Sequence, residues 1–202
     1  MSKSLKPLRL SKLNNIVDFI FEIGQLKRIP HIGWLHAGVP NPERVGEHAF
    51  RASQMAYILA DMEGADAMKT TLMTLIHDNG EARIGDHDLV TQQYIDAKAA
   101  EQKAFEDQCD KLPDHIGGLW VDLFHEREAK ETIEAKCSKD ADMLEQAFQA
   151  KEYLEQGFQN AQKWIDNIET SLHTDSAREL LEAMKERSFM DWAEFAQRKK
   201  DT

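Results

Sequence analysis

Apolar residues recur at three- and four-residue spacing along nearly the whole chain, and few glycines or prolines interrupt them. Ten glycines and five prolines in 202 residues leave little room for the turns of a sandwich or barrel. Leu13, Ile16, Val17 and Ile20 predict a first helix reaching about Leu26. A long connection from Lys27 to Gly46 carries Pro30, Gly33, Gly38, Pro40 and Pro42. A second helix is predicted from Glu47 to Met62, with His48, Ala52, Met55 and Leu59 on one stripe. The third, capped by Asp66 and running from Ala67 to about Asp78, is apolar on several sides and belongs at the centre of a bundle. Asn79-Gly80 is expected to end it in a left-handed turn. Residues 82–91 read as irregular, and further helices are expected at about 92–110, 113–127 and 128–156, with two or three more between Asn160 and Lys199. The expectation is an all-α, single compact helical bundle over residues 1–202, with a central buried helix.

The excess of 36 acidic over 25 basic side chains gives a net charge of −11. That charge opposes binding to a nucleic acid polymer or an anionic membrane, but not to a small anion met by a local cation. No run approaches the roughly 18–20 apolar residues of a membrane span, and Met1–Leu10 has a basic start without an apolar core. Cys109 and Cys137 fit neither a zinc-ribbon nor a redox spacing. A cytoplasmic protein is expected.

Chemistry concentrates at helix ends. His77 and Asp78 close the apolar run Thr70–Ile76, Glu81 follows one turn on, His48 opens another stripe, and Lys139-Asp-Ala-Asp142 supplies two more carboxylates. Imidazole and carboxylate are costly to bury together unless a cation lies between them, and both are donors that divalent metals accept. Each residue alone has an ordinary use: His48 as a hydrogen-bonded core residue, Asp78 as a cap, Glu81 as a solvated first-turn carboxylate. On the helix expected from Glu128, Ile133, Cys137, Leu144 and Phe148 form a stripe that includes Asp140, so periodicity nominates Asp140 as the inward carboxylate.

The ordered set His48, His77-Asp78 and Asp142 resembles the HD-domain metal-dependent phosphohydrolase superfamily. The similarity is greatest to its 5′-deoxynucleotidase branch, through Leu26-Lys-Arg-Ile-Pro30, Gly33-Trp34, Val45-Gly-Glu-His48, His77-Asp-Asn-Gly-Glu81, Gly85-Asp86 and Lys139-Asp-Ala-Asp142. These lie between about residues 26 and 144; residues 145–199 add further helices. The resemblance implies one divalent ion (Mn²⁺, Co²⁺, Fe²⁺ or Zn²⁺) held by His48, His77, Asp78 and Asp142. It also implies attack of metal-bound water on a nucleoside 5′-monophosphate. Glu81 and Asp86 would be catalytic, Arg28 and Asp86 would bind substrate, and the protein would be a homodimer. Against the periodic stripe, the family register selects Asp142, which requires that helix to be buried on both faces. The alternatives are a phosphohydrolase for another small phosphate, such as a nucleoside triphosphate, or a catalytically silent nucleotide- or metal-binding module.

Two departures stand out. Ile29 occupies the place of a sugar-packing tryptophan, which Trp34 either replaces or leaves unfilled as a core residue. His87-Asp-Leu-Val-Thr replaces a short proline-containing turn. Glu81 stands where cyclic-dinucleotide phosphodiesterases of the superfamily carry lysine, which favours a single-metal monophosphatase. His31, His36, His87 and His173 are expected on the surface or in loops, with His36 or His87 at the pocket mouth. Arg44 and Arg51 either add positive potential beside His48 or pair with glutamates. The run Phe189–Phe195 is expected to pack on the core or at a subunit interface.

Overall fold

The structure is a computed structural model that describes residues 10–193. Residues 1–9, the far end of the expected C-terminal helices to Lys199, and Glu194 and Phe195 of the amphipathic run lie outside them. Among the described residues there are ten α-helices and no named strand. They are α1 (Leu10–Ile23), α2 (Gly33–His36), α3 (Val45–Met62), α4 (Ala67–Leu75), α5 (Glu81–Ile84), α6 (Ala97–Cys109), α7 (Asp114–Ala129), α8 (Ile133–Glu155), α9 (Gln162–Glu169) and α10 (Asp175–Lys185). No helix is long and apolar enough to cross a membrane.

Side-chain caps start four of these helices. Asp66, Asp96, Thr132 and Thr174 accept backbone N–H bonds from Lys69, Ala99, Ala135 and Ala177, each cap contributing about 1 kcal/mol. The break between α7 and α8 comes at Lys130, the one described non-glycine residue with positive φ, at 57°. That left-handed residue separates two helices whose apolar spacing reads as nearly continuous.

The central buried helix is α8, not the expected third helix. It packs on α3, α4, α7, α9 and α10, burying Ala135, Cys137, Ala141, Leu144, Ala147 and Ala150 around much of its circumference. The small side chains let its neighbours approach closely. Helix α4 instead exposes Met68 and Leu75. The first helix also differs. Its stripe Leu13, Val17 and Ile20 faces outward, and Phe19 is the residue it buries. The connection after it is closed by an isolated bridge between Pro30 and Arg44, reinforced by His31 N–H to the Glu43 carbonyl at 2.9 Å.

Candidate metal centre

Three elements of the core converge where polar groups would otherwise be unwelcome. His48 lies in the first turn of α3, His77 and Asp78 in the turn after α4, and Asp142 in the middle of α8. Helix α4 stops at Leu75, so His77 and Asp78 sit beyond its end rather than on it. Gly80 is not left-handed: its φ of −56° is helical and it starts α5. It is glycine because a Cβ would lie 2.5 Å from the Glu101 carbonyl oxygen of α6. The left-handed glycine is Gly85, at φ 80°, which turns the chain toward Asp86.

His48 Nε2 is 3.3 Å from Asp142 Oδ1 and 3.8 Å from Asp78 Oδ2. His77 Nε2 is 3.0 Å from Asp78 Oδ1 and 3.6 Å from Asp142 Oδ2. Donor atoms of His48, His77 and Asp78 all lie within 4.8 Å of one another. The other nitrogen of each ring is already engaged. His77 Nδ1 donates to the Thr74 carbonyl at 2.6 Å, and His48 Nδ1 pairs with the buried Glu145 carboxylate. In the neutral rings both Nε2 atoms therefore present lone pairs toward carboxylate oxygens. Acceptors facing acceptors repel unless a positive charge lies among them, so this donor set fits a divalent cation.

The surrounding carboxylates draw positive charge into the cluster. Burial alone would push His48 down, yet the Asp142 and Glu145 carboxylates raise it well above the ordinary histidine value. Burial would raise Asp142, but His77, His48 and Arg127 hold it well below the usual carboxylate range. Asp140, the carboxylate that periodicity nominates, turns away to accept bonds from His173 and Thr174.

A cavity of about 330 Å³ opens on the cluster. Glu81 lines it, and its buried Oε2 has no hydrogen-bond partner. Burial, with Asp78, Asp86 and Glu101 close by, raises the Glu81 carboxyl well above its ordinary value. Glu101 itself is pushed up to about 8, by burial first and then by Asp78. Asp86 Oδ2 accepts the Ile32 N–H at 2.5 Å, and burial raises its pKa. Arg28 does not reach this cavity; its exposed guanidinium turns back to the Gly24 carbonyl at 3.1 Å.

Several participants escaped the sequence reading. Glu145 and Arg127 contact the proposed ligands directly, while Glu101, Lys98, Lys130 and Lys139 line the cavity. His31, expected on the surface or in a loop, lies in the loop before α2, where it packs its ring 4.9 Å from that of His48 and meets Glu43 at 3.2 Å. His173, with the same expectation, lies in the loop before α10 and packs on Asp140. Trp34 is a core residue, 1% exposed. Arg51 pairs with Glu145 and Glu152, and the half-buried Arg44 donates to Asn41.

The family model described as the HD domain matches residues 23–200. A Dictyostelium discoideum protein named 5′-deoxynucleotidase HDDC2 is 33% identical over 176 residues, covering 80% of this chain and 92% of its own. Its Danio rerio namesake is 30% identical, covering 86% and 88%. A conserved hypothetical protein from Pyrococcus furiosus is similar in structure, with a TM-score of 0.72 and 33% identity over 85% of this chain and 99% of that one.

Proposed function

Because this chain belongs to the HD-domain family, we propose that it is a metal-dependent 5′-deoxynucleotidase, a phosphoric monoester hydrolase acting on nucleoside 5′-monophosphates. The observation that carries this reading is the convergence of His48, His77, Asp78 and Asp142 with their lone pairs facing one another. One HD-type domain would span residues 1–202. The mixed nitrogen and oxygen donors suit Mn²⁺, Co²⁺, Fe²⁺ or Zn²⁺. An ion held there supplies Lewis acidity, neutralising phosphoryl oxygen and easing ionisation of water.

The remaining steps fall to the chain's own side chains. Glu81 handles the transferred proton at Oε2, an atom with no hydrogen-bond partner, and its raised pKa favours a carboxyl able to hold a proton there. Asp86, anchored by the Ile32 N–H, meets the sugar end of the substrate and assists. Arg28 would grip the phosphate after leaving the Gly24 carbonyl. Lys98 and Lys130 already line the cavity, and Lys130 has no side-chain partner among the described residues. A homodimer is supported by the outward stripe of α1, and a reducing cytoplasm by two buried free cysteines.

The test is phosphate release by metal-stripped protein from nucleoside mono-, di- and triphosphates, with each ion restored in turn. Turnover of monophosphates is expected. Glu81→Ala should retain the ion and lose most activity, whereas His77→Ala should lose both. Release from triphosphates alone would replace this reading with the alternative hydrolase, and saturable nucleotide binding without turnover would replace it with a binding module.

A further inference from the structure

A second cleft, of about 520 Å³, opens beside the ion cavity and has α9 as its far wall. Asp86, His87 and Gln92 line both spaces. The floor is continuous too, because Gln146 of the cleft donates to Asp142 Oδ1 at 3.1 Å. Their surfaces differ in character. Carboxylates, lysines and Arg127 dominate the ion cavity, whereas the cleft adds indole, aliphatic and amide groups to a rim of His36, His87, Asp86 and Asp88.

Trp164 is held in plane by stacking on buried Trp34, with ring centroids 4.8 Å apart. Leu89 and Val90 also line the cleft and are 76% and 58% exposed. Asn167 and Lys163 share the cleft-facing side of α9 with Trp164. Neither side chain has a hydrogen-bond or ion-pair partner among the described residues. A nucleoside monophosphate is a dianion joined through a sugar to a flat polar disc, so it needs these two kinds of surface side by side. The cleft's volume lies in the range of about 300–1,000 Å³ typical of small-molecule sites.

We propose that α9 is the base-selecting wall of the site: the base lies on the Trp164 indole, and Asn167 and Lys163 read its edge. This inference rests on the nucleotidase reading. Stacking on indole accepts any base. Selection comes from the edge, where the Lys163 ammonium only donates. It therefore favours the exocyclic carbonyl oxygens of cytosine, thymine and guanine over adenine, whose acceptors are ring nitrogens alone.

The experiment measures kcat and KM for dCMP, dTMP, dGMP, dAMP and 2-deoxyribose 5-phosphate in wild type, Trp164→Leu, Asn167→Leu and Lys163→Met. Quenching of tryptophan fluorescence by unphosphorylated deoxynucleosides is followed in parallel. Trp164→Leu should raise KM for all four nucleotides roughly tenfold, leave kcat within about twofold, and leave the base-free sugar phosphate unchanged. Lys163→Met should shrink the advantage of the carbonyl-bearing bases over dAMP by about threefold. Should Trp164→Leu fail to fold, the surface variants at Asn167 and Lys163 carry the same test. Equal KM changes for nucleotides and sugar phosphate, or none at all, would overturn the base wall and leave the nucleotidase standing. A wild type that hydrolyses no nucleoside monophosphate would remove both.

Discussion

Asp140 and Asp142 stand two residues apart on α8 and serve different halves of the molecule. The Asp140 carboxylate is fully buried and meets donors: the His173 and Thr174 N–H groups at 2.9 and 2.7 Å, the Thr174 hydroxyl at 2.7 Å and His173 Nδ1 at 2.8 Å. It seats the start of α10, which delivers Leu181 and Met184 to the core. Asp142 meets the Arg127 guanidinium on one side and two imidazole lone pairs on the other. Burial differs modestly, with 0% of the Asp140 side chain and 17% of the Asp142 side chain exposed. The opposing atoms separate the two roles more sharply: donors all round make a strut, and facing acceptors make a candidate cation site.

The largest expected effect follows from Asp142. Asp142→Asn keeps the shape but removes the charge, and should lower kcat/KM by at least about a thousandfold, roughly 4 kcal/mol. Ion affinity, read by competition with a chelating dye, should fall with it. Next comes Asp140→Ala, which strands the N–H groups of His173 and Thr174. A cost of about 3 kcal/mol is expected, lowering Tm by roughly 6–12 °C in a chain of this size. Ion affinity of the folded protein should not change. If folded Asp140→Ala lost its ion while Asp142→Asn kept it, the two roles would have to be exchanged.

The helical class was legible because apolar spacing survives in one dimension, and the family resemblance singled out His48, His77 and Asp78, whose donor atoms the fold brings within 4.8 Å of one another. The choice between Asp140 and Asp142 was not legible from periodicity. A helix enclosed on both faces has no single inward stripe, and Ile133, counted on that stripe, is 38% exposed. The first helix shows the complementary limit: its period was readable, but not whether Leu13, Val17 and Ile20 face the core. Glu101 was hidden because only packing reveals that bare Gly80 admits α6 beside Asp78. Glu145 left one usable signal, since it lies three residues past Asp142 and therefore on nearly the same face. Its partner His48 is 97 positions away.

Glu145 sharpens the comparison because it touches both kinds of neighbour. It pairs with His48 Nδ1 and accepts Arg51 Nε at 2.8 Å, while Gln149 and Glu152 hold the same guanidinium. This chain fixes the ring so that Nε2 faces the cluster, and the carboxylate makes that nitrogen a better donor. Glu145→Gln should weaken ion affinity by roughly 10–100-fold with little change in Tm. Unchanged affinity would reduce Glu145 to a space-filling partner of Arg51.

The smallest effect tests a carboxylate that belongs wholly with the struts. Glu22 of α1 is held by Arg83, Lys111 and Gln108, and Gln108 also donates to the Asn79 carbonyl at 2.9 Å, behind the turn that carries His77 and Asp78. Burial would raise the Glu22 pKa, but these donors outweigh it and hold it at about 2, below the ordinary 4.5. A carboxylate lowered on folding adds stability above the ordinary pKa and loses it as pH falls toward the folded value. With solvent screening at this partly exposed site, Glu22→Gln should cost about 1 kcal/mol at pH 7. Urea unfolding of both proteins should show that gap closing between pH 4.5 and about 2. A gap that stayed constant through this window would mean that shape, not charge, braces the back of the turn that carries His77 and Asp78.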